Sequence, residues 1–423
     1  MISRRGLSAV VAPAAVLIAM VAGGWRGARP PLPTEPPRLP ATPTTRLTAL
    51  TDEAIRLYAA GQFPRACEQF SRAWEDDPAS PARREDVAQC FEGWAWSTLR
   101  QGRPDEAMLL FRQGLRQSPA APALLRGLGL ASVHAGRTQE AVEPLEAAAR
   151  SEGDPEVRLL LAHLYDRRDD AGRALEHLRM VLGTDPDHLA ARRLLDKIER
   201  EVRAEAGFQR EVIPHFVVKW RASVEPDSRR ALLAGLAAAR ERVVAHLGDT
   251  PRERVTVILY DARQFRAVTR VHGWVTGLFD GKIRLPAGAA LPARRELEHI
   301  LVHEYAHAAI HDLSRGRAPR WLHEGLAQAL EGTEPDPMLR VPVRPTLSGL
   351  EALLGDADPG RARTGYDVAL WVVHDLLDRG GMSAAGRLMT RLGRGEAITT
   401  AIPAVYGLSL SELEQQWRQV LGG

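Results

Sequence analysis

One short stretch of the chain carries side chains that could bind a metal ion and use it. His303, Glu304 and His307 lie in the sequence His-Glu-Tyr-Ala-His, which is the HExxH pattern. On a helix, residues four apart lie one turn above each other, so the two imidazoles would face one point in space. Glu304 would lie beside that point, where a carboxylate can accept a proton from water without binding the metal. The pattern therefore predicts metal-assisted hydrolysis.

A carboxylate 17 residues after His307 offers a third ligand. Glu324 lies in Trp-Leu-His-Glu-Gly-Leu-Ala, and a short loop with a return helix would bring it to the same metal. Two histidines and a glutamate form a known catalytic zinc set, whereas the chain's two cysteines are too few for a thiolate cluster. His311, His323 and Asp312 remain alternatives for the third position.

The HExxH pattern followed by a Trp-Leu-x-Glu-Gly-Leu-Ala helix resembles the gluzincin metallopeptidases. The resemblance is greatest to exported peptidase MA-like domains joined to tetratricopeptide repeats, and it extends from about Phe208 to Leu421. It implies an α+β zincin-like domain over residues 207–423 and a Zn²⁺ ion as cofactor. It also implies three metal ligands and one general base. These are His303, His307 and Glu324 for the metal and Glu304 for the base.

The resemblance adds two expectations about substrate. Related enzymes often use a downstream Tyr or His to stabilise the negative charge on the scissile carbonyl, and Tyr366 is the candidate here. An ordinary core or surface tyrosine is the alternative. Gluzincins also commonly lay an extended substrate along an exposed strand above the metal helix, which makes the strand around Lys282 to Leu285 the expected docking edge.

The segments around the motif predict a small α+β unit. Residues 213–220 and 255–260 are rich in Val, Ile and aromatic residues and are predicted strands, with an amphipathic helix over 232–247 between them. Residues 277–285 predict a hairpin that turns at Asp280-Gly281. Pro292 suits the first turn of the metal helix, and Gly316 and Pro319 lie beyond its end.

Residues 47–206 contain an internal sequence repeat. The small residues Ala66, Ala107, Ala141 and Ala174 are spaced 41, 34 and 33 apart. Each follows a turn segment and precedes a large apolar residue and a proline, so the pattern resembles tetratricopeptide repeats and predicts an α-solenoid of helical hairpins. The seven extra residues in the first interval are expected in a longer loop at 80–86, and 187–206 is expected to be a charged, solubilising cap helix.

Cys67 and Cys90 fall on helices expected to be neighbours in this array. An oxidising compartment would favour a disulfide between them, and two buried free thiols are the alternative.

The N-terminus predicts export. Residues 1–28 combine Arg4 and Arg5 with an apolar run and small residues, which is typical of a signal peptide or a membrane anchor. Residues 29–46 form a Pro-rich linker. The protein is therefore expected to be periplasmic, secreted or anchored facing outward.

Composition limits the remaining functions. The 423 residues are 45% hydrophobic, which excludes disorder as the main state, and the +3 net charge is interleaved rather than massed, which argues against nucleic acid. The sequence predicts an exported zinc metallopeptidase whose repeats bind a substrate or protein partner. The alternative is a tetratricopeptide scaffold with a catalytically degenerate peptidase-like domain.

Overall fold

A computed structural model describes residues 47–248, 250–271, 275–286, 293–339, 341 and 345–420. The predicted export segment 1–28, the linker 29–46 and Pro292 lie outside the described residues. Among the helices of the described ranges, none is long and apolar enough to cross a membrane.

The first eight helices pack as four consecutive pairs. They are α1 (Leu47–Ala59), α2 (Phe63–Glu75), α3 (Pro81–Arg100), α4 (Pro104–Gln117), α5 (Pro122–His134), α6 (Thr138–Glu152), α7 (Pro155–Arg167) and α8 (Ala171–Thr184). The predicted anchors Ala66, Ala107, Ala141 and Ala174 lie on the second helix of each pair and are fully buried. A small side chain at these positions lets the paired helices approach closely, and the predicted helical solenoid is present.

The turn inside each pair needs a left-handed residue. Gly61, Gly102 and Gly136 supply it in the first three pairs, with φ of 73°, 76° and 73°. In the fourth pair the left-handed residue is Asp169, with φ of 60°. A non-glycine residue in this conformation is uncommon, and Asp tolerates it better than most.

The extra residues of the first interval extend a helix rather than a loop. Helix α3 has 20 residues, against 13 in α5 and in α7. Pro81 occupies its first turn, where a missing N–H costs nothing, so the proline starts the helix instead of breaking it. The prediction of a longer loop at 80–86 is therefore wrong.

A disulfide joins the first two pairs. Cys67 of α2 and Cys90 of α3 are bonded, with their Cα atoms 5.5 Å apart, and both residues are buried. Of the two interpretations of these cysteines, the structure shows the disulfide.

Helix α9 (Leu189–Ala204) follows the array, and its environment differs from the expected cap. Part of its charge faces protein rather than solvent, since Glu201 is buried and Lys197 is half-buried. Both side chains meet the strands that come next, so α9 joins two parts of the molecule instead of closing one.

Five strands form one mixed sheet in the order β1-β2-β3-β5-β4. They are β1 (Gln209–Ile213), β2 (Phe216–Trp220), β3 (Val255–Tyr260), β4 (Leu278–Phe279) and β5 (Ile283–Pro286). The predicted strand 213–220 is thus the end of one hairpin rather than a single strand. The hairpin of β4 and β5 turns at Asp280 and Gly281, as the sequence predicts.

The prediction that the strand around Lys282 to Leu285 is an exposed docking edge is wrong. Strand β5 pairs with β3 on one side and with β4 on the other, so Ile283 and Arg284 are interior to the sheet. The edge beyond them is the two-residue strand β4.

The remaining helices lie between the strands or follow them in the chain. They are α10 (Pro226–Leu247), α11 (Ala262–Thr269), α12 (Arg294–Ser314), α13 (Arg320–Glu331), α14 (Leu347–Leu354), α15 (Pro359–Gly393), α16 (Ile398–Tyr406) and α17 (Leu410–Val420). Helix α12 lies among α10, α13 and α15 and shares one apolar core with them. Gly316 and Pro319 lie beyond its end, as predicted.

Candidate metal centre

Two helices bring the predicted ligands together. His303 and His307 lie one turn apart on α12, and Glu324 lies in the second turn of α13. Glu324 Oε2 is 3.6 Å from His303 Nε2 and 3.4 Å from His307 Nε2, and the three ligand atoms lie within 4.8 Å of one another. Two ligand atoms at zinc distances on a tetrahedral ion are about 3.4 Å apart. The three side chains therefore fit a zinc ion.

Close packing of α13 against α15 fixes the position of Glu324. A Cβ at Gly325 would lie 2.4 Å from the carbonyl oxygen of Ala369, so only glycine permits this approach. Gln328 Nε2 then donates to the Tyr366 carbonyl at 3.1 Å. The glycine of the Glu-Gly-Leu-Ala sequence thus has a packing role.

A second carboxylate orients one of the histidines. His303 Nδ1 lies 2.9 Å from Glu331 Oε2, at the C-terminal end of α13. This contact places the proton on Nδ1 and leaves Nε2 to face Glu324. Burial opposes charge on His303, but the Glu331 carboxylate outweighs it and raises the pKa of the imidazole to about 10 in the absence of metal.

Several buried nitrogen and oxygen atoms of the centre have no hydrogen bond among the described residues. His303, Glu304, His307 and Glu324 are at most 1% exposed. In the described part of the chain, neither Nε2 atom nor either Glu304 oxygen has a hydrogen bond. Such orphaned buried groups are costly in a folded protein unless something binds them. The donor set of two imidazoles and a carboxylate suits a divalent cation.

The Glu304 carboxylate lies against the backbone of a neighbouring segment. A Cβ at Gly277 would lie 2.4 Å from Glu304 Oε1, which shows how closely the chain before β4 approaches this carboxylate. Burial, and then the Glu324 and Glu331 charges, raise the pKa of Glu304 well above its usual value. A raised pKa suits a group that accepts a proton and later returns it.

Tyr366 lies at the same centre. It is buried on α15, seven residues after the helix begins at Pro359, and its hydroxyl has no hydrogen bond within the described ranges. Burial, followed by the Glu324 charge, raises the pKa of the Tyr366 hydroxyl well above its usual value, while Arg320 opposes this. The Arg320 guanidinium also lies 3.6 Å from Glu324 Oε1. The hydroxyl is therefore a neutral donor near the predicted reaction site.

The other third-ligand candidates make different contacts. Asp312 accepts a hydrogen bond from Thr250 at 2.7 Å, and the His311 ring packs against Phe279. His323 is buried with its ring 5.8 Å from the ring of His307, where burial lowers its pKa to about 3. Among the described residues, the group with metal-binding geometry contains Glu324 and none of these three.

Sequence reasoning missed three contributors to the centre: Glu331, Gly277 and Arg320. Glu331 had a signal, because it follows Glu324 by seven residues and so lies on the same face of α13. Arg320 precedes Glu324 by four residues, so a similar spacing signal was present for it. Gly277 had none, since its contact with Glu304 comes from another part of the chain.

Comparison with known proteins bears on the array. Two overlapping matches to the tetratricopeptide repeat family cover residues 98–164 and 132–198. This part of the chain consists of tetratricopeptide repeats. No curated protein matches the chain.

Several solved structures resemble the chain weakly. The thermophilic tetratricopeptide protein TTC0263 of Thermus thermophilus is 20% identical over 36% of this chain and 98% of its own, with a TM-score of 0.23. A structure of MamA from AMB-1 is 18% identical over 37% and 83%, with a TM-score of 0.29. YrrB, described as having an unusual peptide-binding site, is 14% identical over 34% and 89%, with a TM-score of 0.25.

Proposed function

We propose that the protein is an exported zinc-dependent metallopeptidase with a tetratricopeptide array that binds a substrate or protein partner. The observation that carries the proposal is the convergence of His303, His307 and Glu324 in a fully buried site whose histidine Nε2 atoms have no hydrogen bond among the described residues. Buried polar groups without partners are rare in folded proteins, and a metal ion would satisfy these together.

The surrounding residues support hydrolysis rather than a structural metal. A bound Zn²⁺ supplies an acidified water and polarises a carbonyl. Glu304, beside the ligands but outside the set, would accept the proton of the attacking water and give it to the leaving amine. Tyr366 would donate a hydrogen bond to the scissile carbonyl oxygen as it gains charge. A purely structural zinc site needs neither group.

The remaining parts of the proposal rest on the chain outside the centre. Tetratricopeptide repeats generally bind protein partners, which supports such a role for residues 47–206. The Cys67–Cys90 disulfide suits an oxidising compartment, and so agrees with the export expected from residues 1–28.

Zinc content tests the ligand set. We expect about one zinc per chain in the wild-type protein and a large loss in the Glu324→Ala variant, because His₂Glu sites depend on all three ligands. Glu334→Ala is the matched control, since Glu334 is an exposed residue just after α13. Full zinc in both variants would show that another residue is the third ligand, and no zinc in the wild type would refute the proposed site.

Glu304→Gln separates an enzyme from a scaffold. The amide keeps the size of the side chain but cannot accept the proton, so we expect zinc to be retained and peptide hydrolysis to fall by about 10²–10⁴-fold. Glu298→Gln on the same helix, where Glu298 pairs with Arg294 on the surface, should leave the rate unchanged. Cellular function that survives Glu304→Gln intact would favour the degenerate scaffold instead.

A further inference from the structure

A cluster of buried charges lies between the array and the sheet. We call it the interface cluster. From the array side it contains Asp166, Asp169, Lys197, Glu201 and Glu205, and from the sheet side Lys219, Tyr260, Asp280, Lys282 and Arg284. Five carboxylates and four cations meet there, so their charges nearly cancel. The metal centre uses none of these residues.

Lys282 is the clearest connection. It lies in the β4–β5 hairpin, is 3% exposed, and places its ammonium 3.0 Å from Asp166 of α7 and 3.2 Å from Glu201 of α9. Burial would favour the neutral amine, yet these carboxylates raise the pKa of Lys282 well above its usual value. The hairpin therefore carries a charge whose partners belong to the array.

Arg284 of β5 makes three directed contacts. Its guanidinium donates to Glu201 Oε1 at 2.8 Å, to the Tyr260 hydroxyl at 2.9 Å and to Asp280 Oδ1 at 3.1 Å. Tyr260 in turn donates to Glu205, just after α9. The Arg284 side chain thus joins β5 and the hairpin turn to β3 and α9.

The array contributes an unusual backbone to the same cluster. Asp169 holds the left-handed turn position that glycine occupies in the first three pairs. Its carboxylate lies 3.0 Å from Lys219 and 3.5 Å from Lys282. A strained position that is filled by a contacting residue points to the contact as the reason for the residue.

A gain in folding stability does not explain why such a cluster of buried charges is present. Buried ion pairs lose most of their Coulomb gain to desolvation, and apolar replacements are often as stable. What the pairs do provide is direction, because each charge must meet a partner in one register. The cluster therefore fixes where the hairpin lies relative to α7 and α9.

That hairpin continues directly into the cover of the metal centre. Residues 275–286, here called the hairpin segment, run from the loop before β4 to the end of β5. Gly277 lies against the Glu304 carboxylate, and Phe279 packs against His311 of the metal helix. A shift of the hairpin would move the backbone that covers the proposed general base.

We propose that the array is a structural part of the catalytic unit, with Lys282 and Arg284 as positioning residues that hold the hairpin segment over Glu304. This inference rests on the proposed peptidase function for its catalytic meaning. It gives the array a role beyond partner binding, since α7 and α9 then set the geometry of the site.

Hydrogen exchange of the full chain tests the proposal in the Glu201→Gln variant. Glu201 contacts Lys197, Lys282 and Arg284, so the amide removes the central negative charge with little change in size. We expect exchange in the hairpin segment to become at least about 10-fold faster, while α12 and the zinc content stay unchanged. Where a peptide is hydrolysed, kcat should fall and KM should change little.

The matched control is Glu199→Gln, on the same helix. Glu199 is partly exposed and pairs with Arg203 at 3.5 Å, so its replacement should leave the hairpin segment as in the wild type. Unchanged exchange in a folded Glu201→Gln protein would overturn the proposal. Equal acceleration across the whole chain would also overturn it, because that result indicates a merely structural role.

Tyr260→Phe tests the same proposal if the Glu201→Gln variant fails to fold. It removes only the hydroxyl that accepts from Arg284 and donates to Glu205. Faster exchange confined to the hairpin segment would support the proposal, and unchanged exchange would overturn it. Failure of the peptidase proposal is distinguishable, since it shows as a wild-type chain without zinc, whatever the hairpin segment does.

Discussion

The core of the array and the core around the metal centre are closed to solvent to the same degree, yet different atoms fill them. In the array, apolar side chains such as Phe111 and Leu145 interlock with glycines and alanines of the neighbouring helix. Around the metal centre, buried imidazole and carboxylate groups face one another. The apolar core is complete without a ligand. In the polar core the Nε2 atoms of His303 and His307 have no hydrogen bond among the described residues, which is why we propose a bound ion there.

The two regions meet through buried charge as well as apolar packing, in which Ala204 of α9 lies against the core around Ile258. Lys282 and Arg284 of the sheet are buried against Glu201 of α9. An apolar interface would allow sliding between similar packings, whereas paired charges favour one register. The comparison thus separates three kinds of burial: for stability in the array, for the proposed chemistry at the metal centre, and for register between them.

Gly277→Ala should have the largest effect on the polar core. The added Cβ would lie 2.4 Å from Glu304 Oε1, so the carboxylate or the covering backbone must move. A displacement of about 1 Å at a catalytic group can lower the rate by about 100-fold, and we expect a loss of that order in kcat/KM with zinc retained. Peptide kinetics with metal analysis would measure both.

Gly386→Ala is the control for this substitution. Gly386 lies within α15 and an added Cβ there meets nothing within 4 Å, so activity should be unchanged. Full activity in Gly277→Ala would show that the covering backbone has no part in the reaction.

Glu331→Ala should lower the metal affinity of the centre through its effect on His303. It removes the partner of His303 Nδ1, and loss of such an outer contact typically lowers metal affinity by about 10–100-fold. Competition with a zinc chelator would give the dissociation constant, with Glu334→Ala as the exposed control. Equal affinities in all three proteins would mean that Glu331 does not orient the ligand.

Gly127→Ala tests the apolar core and should have the smallest effect on function. The new Cβ would lie 2.1 Å from the Phe111 ring, and overpacking of this kind costs about 1–3 kcal/mol. We expect a lower Tm with zinc content and activity retained below the transition. Gly183→Ala, exposed on α8 with nothing within 4 Å, should keep or slightly raise the Tm. A loss of zinc in Gly127→Ala would contradict the separation of the two cores.

Much of this organisation could be predicted because it depends on local spacing. A period near 34 residues predicts the helical pairs, since Ala107 and Ala141 recur where helices must approach closely. Where prediction failed, a local signal had two meanings. Pro81 can end a segment or begin a helix, and Lys282 to Leu285 can form an edge or an interior strand.

The sequence alone predicts that His303 and His307 face one point, because a helix places residues four apart on one side. It also predicts that Glu324 follows on a nearby helix, and that the array precedes the centre. The contacts of Gly277 with Glu304 and of Lys282 with Asp166 became visible in the folded chain. Those contacts join residues far apart in the chain, and no short-range spacing rule relates such residues until the fold brings them together.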